Sequence, residues 1–432
     1  MQNIKITSKN ALRGIFRGAL KSMRDKNTSY IKRSLEPVLR QAVAEFPAVV
    51  LTGPRQSGKT TLLQKLFGKD YRYVSLEPPD IRLAATDDPR AFLEMYHPPV
   101  IFDEVQYVPN LLPYIKEKID GDRHRSGQYL LTGSQNLLLA EKVTESLAGR
   151  AAMLRLWPLS RREMEGNPQL GLPWESGWQA SSHAPGAFGS LWRALLRGGY
   201  PELVTQPRRN LRLWYASYIQ TYLERDVRTL RQVGDLTQYQ NFLRVLAARS
   251  AQLLNLSDVA RDLGVAVNTI KSWLSVLEAT YQIIVLRPYF ANVGKRLVKT
   301  AKVYFTDTGI LCHLAGLKDP DHAAAGPLGG AILETAVLME LIKTLTHRGA
   351  DPQLYFWRTS AGTEVDFVVT EGEKLVPVEV KLSASPRPAM AAGIGIFHDD
   401  FRDTALPGYV IHPGDACFPL RSGVTALPFA YL

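Results

Sequence analysis

The stretch VVLTGPRQSGKTTLLQKLF, residues 49–67, runs from an unbroken apolar segment, through a glycine-rich turn, into a segment with helical spacing. Its centre is GxxxxGKT: Gly53, Pro54, Arg55, Gln56, Ser57, Gly58, Lys59 and Thr60, with Thr61 following. A strand that feeds this turn directly into a helix is the context in which the motif cradles phosphates. The glycines let backbone N–H groups turn inward, and the helix N-terminus adds positive partial charge. Lys59 would reach the β- and γ-phosphates of a nucleoside triphosphate, and the Thr60 hydroxyl would ligate Mg²⁺. ATP and Mg²⁺ are the expected ligands.

The surrounding pattern repeats strand and helix. YRYVSLE (71–77), PVIFDEV (99–105), YLLTGS (129–134) and AAMLRLWPLS (151–160) read as further strands. Continuous apolar strands separated by helices predict a parallel sheet covered on both faces. The third strand ends in two acids. Asp103 is expected to hold the magnesium through water, and Glu104 to polarise the attacking water as general base. Such a base favours hydrolysis over phosphoryl transfer to a small molecule.

This pattern resembles an AAA+ ATPase. The resemblance implies a polar sensor at the end of the next strand, where Ser134, Gln135 and Asn136 stand. It also implies an arginine just before the fifth strand that reaches a neighbouring subunit's ATP. Arg150 occupies that position, with an ion pair inside its own subunit as the competing role.

Beyond the core, NPQLGLPWESGWQASSHAPG (167–186) marks a boundary or inserted loop. LRLWYASYIQTYLERDVRTLRQV (211–233) has the spacing of one long amphipathic helix. Residues 236–310 predict a winged helix. Ser257 is expected to cap its first helix, Gly264 to make the turn, and Thr269–Ala279 to form the second helix. Asn268, Thr269, Lys271 and Ser272 would then face a duplex. Arg287, Lys295, Arg296 and Lys299, in a two-stranded wing, would meet phosphates. Protein binding is the other common use of such a unit.

The last segment, 320–432, predicts a second α/β domain: a helix at 329–345, then strands at 353–359, 364–370, 374–381 and 408–413. Asp366 and Glu379 fall on adjacent strands, with Lys381 two positions on. Two acids of this kind can hold Mg²⁺ and activate water, with Glu334 from the helix completing the set. The arrangement resembles the restriction-endonuclease-like PD-(D/E)xK superfamily, although Val365 stands where the motif has proline. The resemblance bears on fold more strongly than on cleavage.

Composition sets the frame. With 432 residues, 45% hydrophobic and 22% charged, several soluble domains are expected. A net charge of +11 favours polyanionic partners, nucleic acid first. No apolar run is long enough to cross a bilayer. Two isolated cysteines, Cys312 and Cys417, predict a reducing, cytoplasmic setting. Residues 1–36 form a basic extension. A transit segment, a DNA-contacting arm and an early-start extension are all open readings for it.

The expected architecture is therefore α/β: an AAA+ core (37–165), a helical lid or linker (166–235), a winged helix (236–310) and a nuclease-like domain (320–432). GPRQSGKTTL, FDEVQ, LTGSQN, SLAGR, TYLERDV and EVDFVV are similar to blocks of a widespread prokaryotic family of uncharacterised ATPases, whose C-terminal part is a domain of unknown function. The leading functional expectation is an ATP-hydrolysing motor on DNA, unwinding or migrating branched structures. The alternatives are a Mg²⁺-dependent, ATP-dependent nuclease and a regulatory ATPase switch for protein partners. A finger acting in trans implies a homo-oligomer.

Overall fold

The computed structural model describes residues 30–134, 145–178, 188–223, 236–290 and 300–432. Its N-terminal sheet has five parallel strands: β1 (Ala48–Thr52), β2 (Arg72–Ser75), β3 (Val100–Asp103), β4 (Tyr129–Gly133) and β5 (Ala151–Arg155), in the order β2-β3-β4-β1-β5. The three inner strands are buried along their whole length, as their apolar runs require. Successive side chains serve opposite faces. Val50, Phe102 and Leu131 pack with Ile115 and Leu112 of one helix layer. Val49, Leu51, Ile101 and Leu130 pack with Leu39, Leu62 and Leu63 of the other. Those last three belong to α1 (Glu36–Glu45) and α2 (Lys59–Phe67).

Two expectations change here. The fifth strand ends at Arg155, three residues before Pro158, so the ladder stops short of the apolar run. The domain also starts earlier than residue 37. Arg33, Ser34 and Leu35 are buried, the last completely, so this end of the basic extension is part of the core.

The middle of the chain has helices α3 (Leu211–Tyr218), α4 (Leu236–Ala248), α5 (Leu256–Leu263) and α6 (Val267–Ala279). The expected long helix from 211 gives way to a π-type segment at Ile219–Leu223, and its remainder lies outside the described residues. Two helices joined by a turn stand where the helix-turn-helix was expected. Gly264 ends α5 with φ +66°, and Ile270, Trp273, Leu274 and Leu277 of α6 point inward. The cap is Asn255 rather than Ser257, its side chain accepting from Ser257 N and Asp258 N. Asn255 is one of the stronger helix-capping types, and it begins the helix a residue before Ser257.

Strands β6 (Ile283–Leu286) and β7 (Lys302–Phe305) pair antiparallel, as a wing would. They do not stand free. Arg287 O and Tyr289 N both bond to Phe356, at 3.2 and 2.6 Å, which joins the end of β6 to the C-terminal sheet.

That sheet is six-stranded: β8 (Leu354–Arg358), β9 (Glu364–Glu371), β10 (Lys374–Val380), β11 (Gly408–His412), β12 (Phe418–Arg421) and β13 (Val424–Pro428), ordered β12-β13-β11-β10-β9-β8. Helix α7 (Gly329–His347) lies against it and is apolar nearly all round. A helix without a polar face is buried on every side. One continuous core runs from Trp157 through α4, α6, β7 and α7 to Phe367 and Val378. The expected separation of winged helix from C-terminal domain is thus a change of topology without a break in packing.

Candidate active site

The phosphate loop, the acids and the sensor position all lie at the carboxyl ends of β1, β3 and β4. That edge is where open parallel sheets bind ligands. Because β4 sits between β1 and β3, its last residues reach both.

The loop is shaped for close approach. Gly53 has φ +141°, and a β-carbon there would stand 2.1 Å from Leu156 O. Gly58 has φ +96° and precedes α2. The Ser57 hydroxyl is buried with no hydrogen-bond partner among the described residues. Lys59 is buried and donates to Gly53 O at 3.0 Å and Pro54 O at 2.9 Å. Burial pulls its ammonium down to about 8, against Glu104 and Asp103, which hold it up.

Thr60 Oγ1 lies 3.0 and 3.1 Å from the two Asp103 oxygens. A hydroxyl facing a carboxylate is the hard oxygen set that Mg²⁺ takes alongside phosphates. The orphaned Ser57 hydroxyl, the glycine cradle and this pair fit magnesium-bound ATP. Asp103 is further held by Tyr73 OH at 2.7 Å and by the Thr132 hydroxyl. Thr132 Oγ1 in turn accepts from Glu104 N at 3.1 Å.

Glu104 has φ +61°, a left-handed backbone that costs a residue with a β-carbon about 1–3 kcal/mol. Glu104 Oε2 accepts from Ser134 Oγ at 3.1 Å and from the Gln106 amide, which also reaches Ser134 Oγ at 3.2 Å. The expected base and sensor residue are therefore in contact. Gln135 and Asn136 lie outside the described residues. Tyr73, Gln106 and Thr132 escaped the sequence reading because no motif spacing singles them out.

Arg150 makes a two-pronged ion pair with Asp120, at 2.6 and 3.0 Å. Within one chain it is engaged away from the loop, which is the competing role named for it.

A second network reaches the loop from behind. Arg33 donates to Ser57 O at 3.0 Å, to Trp157 O at 2.6 Å and to Glu163 at 3.1 Å. Glu163 also accepts from Ser34 N and Ser160 N, the latter in a capping box. His347, at the end of α7, places Nδ1 3.4 Å from Glu163, and its Nε2 accepts from Trp157 N at 3.2 Å. A ring nitrogen that accepts from a backbone N–H carries no proton. His347 is neutral, in keeping with the lowering that burial imposes on it. Arg33, Glu163 and His347 are all buried, so the phosphate loop is joined through the Arg33–Glu163 ion pair and the neutral His347 to the C-terminal helix.

In the C-terminal sheet Asp366, Glu379, Glu334 and Lys381 do converge. Asp366 accepts from Val380 N at 2.8 Å, and Lys381 pairs with Glu379 at 2.5 Å. The expected Mg²⁺ site is nonetheless corrected. Lys302, a wing residue that the sequence reading passed over, is buried and ion-pairs with Glu334 at 3.1 Å and with Glu364. Its ammonium also lies 3.9 Å from Asp366. Among the described residues no group of three or more His, Cys, Asp or Glu is arranged to hold a metal ion. The residues as placed do not fit a divalent cation here.

Of the expected DNA contacts, Asn268 and Lys271 are exposed on α6, and Thr269 and Ser272 are half-buried. Arg287 is exposed beside the C-terminal sheet. Lys295, Arg296 and Lys299 lie outside the described residues.

The fold and this edge define an ATPase of the P-loop, AAA kind. A family model described as "AAA domain" matches residues 45–165. Two described as domains of unknown function, DUF8612 and DUF4143, match residues 189–321 and 329–432. The chain is 30% identical over 401 residues to "Uncharacterized protein Rv2008c" of Mycobacterium tuberculosis, spanning 92% of this chain and 83% of that protein, and belongs to its family. It is 21% identical over 358 residues to an uncharacterized protein of Haemophilus influenzae, spanning 77% and 81% of the two chains. Among solved structures it is similar to the Walker-type ATPase PABY2304 of Pyrococcus abyssi, with 17% identity, TM-score 0.43 and coverage of 66% of this chain and 96% of that one. Among the described residues no helix is long and apolar enough to cross a membrane.

Proposed function

We propose that the chain hydrolyses ATP to drive a change acting on DNA. The observation that carries the DNA half is α6: its apolar side is buried in the core while Asn268 and Lys271 face outward, on a chain of net charge +11. Within the nucleotide edge, bound magnesium would offset phosphate charge, with Thr60 and Asp103 holding it. Lys59 supplies charge to the phosphates. Glu104, oriented by Gln106 and Ser134, takes the proton of the attacking water.

The test is ATP turnover with and without single-stranded, duplex, forked and four-way DNA at low salt. Stimulation by at least one structure is expected, together with its loss in Asn268→Ala/Lys271→Ala. Unchanged turnover and no binding would sink the DNA reading.

A second reading, a switch for protein partners, is favoured by the buried path from Ser57 to His347. A stable partner captured only with ATP, without DNA stimulation, would select it.

The trans role of Arg150 carries its own expectation. Arg150→Ala should lose turnover and Asp120→Asn should keep it, with specific activity rising with protein concentration. Equal turnover in parent and Arg150→Ala would leave Arg150 a surface ion pair.

A further inference from the structure

The C-terminal acids raise a question of charge. Four carboxylates, Glu334, Glu364, Asp366 and Glu379, gather around Lys302, Lys381 and Arg358. Acids this close and this dry stay together through a counter-charge or by taking up a proton, and burial, with Asp366 beside it, pushes the Glu379 carboxyl up to about 8. Arg358 and Lys381 each serve one acid from the periphery, bonding Glu364 at 2.6 Å and Glu379 at 2.5 Å. Lys302 alone reaches three of the acids.

Lys302 comes from a different part of the chain. It opens β7, which pairs with β6 in the middle unit, and its side chain is 4% exposed. Its ammonium also lies 5.5 Å from the Phe356 ring centre. Tyr304, two residues on and so on the same side of β7, donates to Glu334 at 2.5 Å.

One acceptor remains unserved. Glu379 is 6% exposed, and its Oε2 is buried without a hydrogen-bond partner among the described residues. Its carboxyl is pushed up by burial and then by the neighbouring Asp366 and Glu334. An orphaned oxygen beside a cluster of acids leaves room for a further partner, a proton or a cation, which a saturated ion-pair network would not.

We infer that Lys302 is the resident cation of this pocket: its ammonium excludes a divalent ion and joins the middle unit to the C-terminal sheet. The pocket becomes a divalent-cation site only when that ammonium is withdrawn. The inference concerns a site remote from the nucleotide edge and stands whether or not ATP turnover requires DNA.

The test uses the full chain, free of nucleotide, titrated with Mn²⁺ while free Mn²⁺ is read by electron paramagnetic resonance. Any uptake at the nucleotide edge is common to all variants and cancels in the comparison. Lys302→Gln is expected to bind one Mn²⁺ more than the parent and to lose that gain in Lys302→Gln/Glu379→Gln. It should also melt below the parent in EDTA and recover with Mn²⁺, whereas the parent's melting point stays unmoved. A Lys302→Gln protein that gains no Mn²⁺ overturns the inference. If that variant does not fold, the parent and Glu379→Gln decide. Equal Mn²⁺ uptake is expected, and uptake by the parent that Glu379→Gln abolishes would show a pocket already open beside Lys302.

Discussion

Lys59→Ala is expected to lower ATP turnover by about 10²–10³-fold, the size of effect seen when one preorganised charge-stabilising donor is removed from a dry site. Charge shifts onto phosphoryl oxygens as the terminal bond breaks, and the protein's part is positioning and electrostatics. The Lys59 ammonium is buried, so its field is little screened. Fold and chemistry separate cleanly at this residue. Burial lowers the ammonium to about 8, so holding it charged is a cost to the nucleotide-free protein. Removing it relieves that cost, frees the carbonyls of Gly53 and Pro54, and takes a nearby positive charge from Glu104 and Asp103. The melting temperature of the variant should stay near that of the parent while phosphate release at saturating ATP collapses. Parental turnover in a folded Lys59→Ala protein would place the chemistry elsewhere.

The division between what the chain's sequence made legible and what it hid follows contact distance. The phosphate loop is eight adjacent residues, and its strand and helix flank it directly, so spacing alone identified it. Asp103 and Glu104 were legible because an apolar strand ends on them. The meeting of Ser134 with Glu104 depends on β4 lying between β1 and β3, an order that no local pattern encodes. Arg150 and Asp120 are 30 residues apart, and Arg33 and Glu163 are 130 apart. No motif spans such distances, and Arg33 was hidden further by lying in a stretch whose other basic residues suggested an extension outside the core.

Lys302 shows a different failure. Basic residues in a wing read as phosphate contacts when the wing is free. Lys302 was not among them: the β6–β7 pair packs into a shared core, and the lysine's charge is turned inward onto carboxylates. Strand and residue type were both foreseeable; the partner was not. The pair α5 and α6 escaped this reversal because α6 buries an apolar face wide enough to fix its orientation, which leaves Asn268 and Lys271 outside.

Glu163→Gln and Arg33→Met are each expected to destabilise the protein by about 3–5 kcal/mol, since each leaves the other partner buried without full compensation. Burial alone would push the Glu163 carboxyl up. Arg33, with the Ser160 N–H, outweighs it and holds the group below the ordinary carboxylate range. A depressed folded-state value stabilises the protein above the unfolded value of about 4.3 and is lost as pH falls through the folded one. The gap in stability between parent and Glu163→Gln should therefore be widest near neutrality and close under acid. The double variant should be more stable than the less stable of the singles, because it leaves no unpaired buried charge. Urea unfolding of the four proteins at neutral and acid pH reads all three results. Singles within about 0.5 kcal/mol of the parent, the range of ordinary surface changes, would show that the pair carries no net burden. The consequence for function follows from one bond. Arg33 holds the Ser57 carbonyl, so Arg33→Met, assayed at a temperature where it remains folded, should raise the KM for ATP with a smaller change in kcat. Loss of kcat at unchanged KM would instead mean that the residue acts on the transition state and not on the shape of the loop.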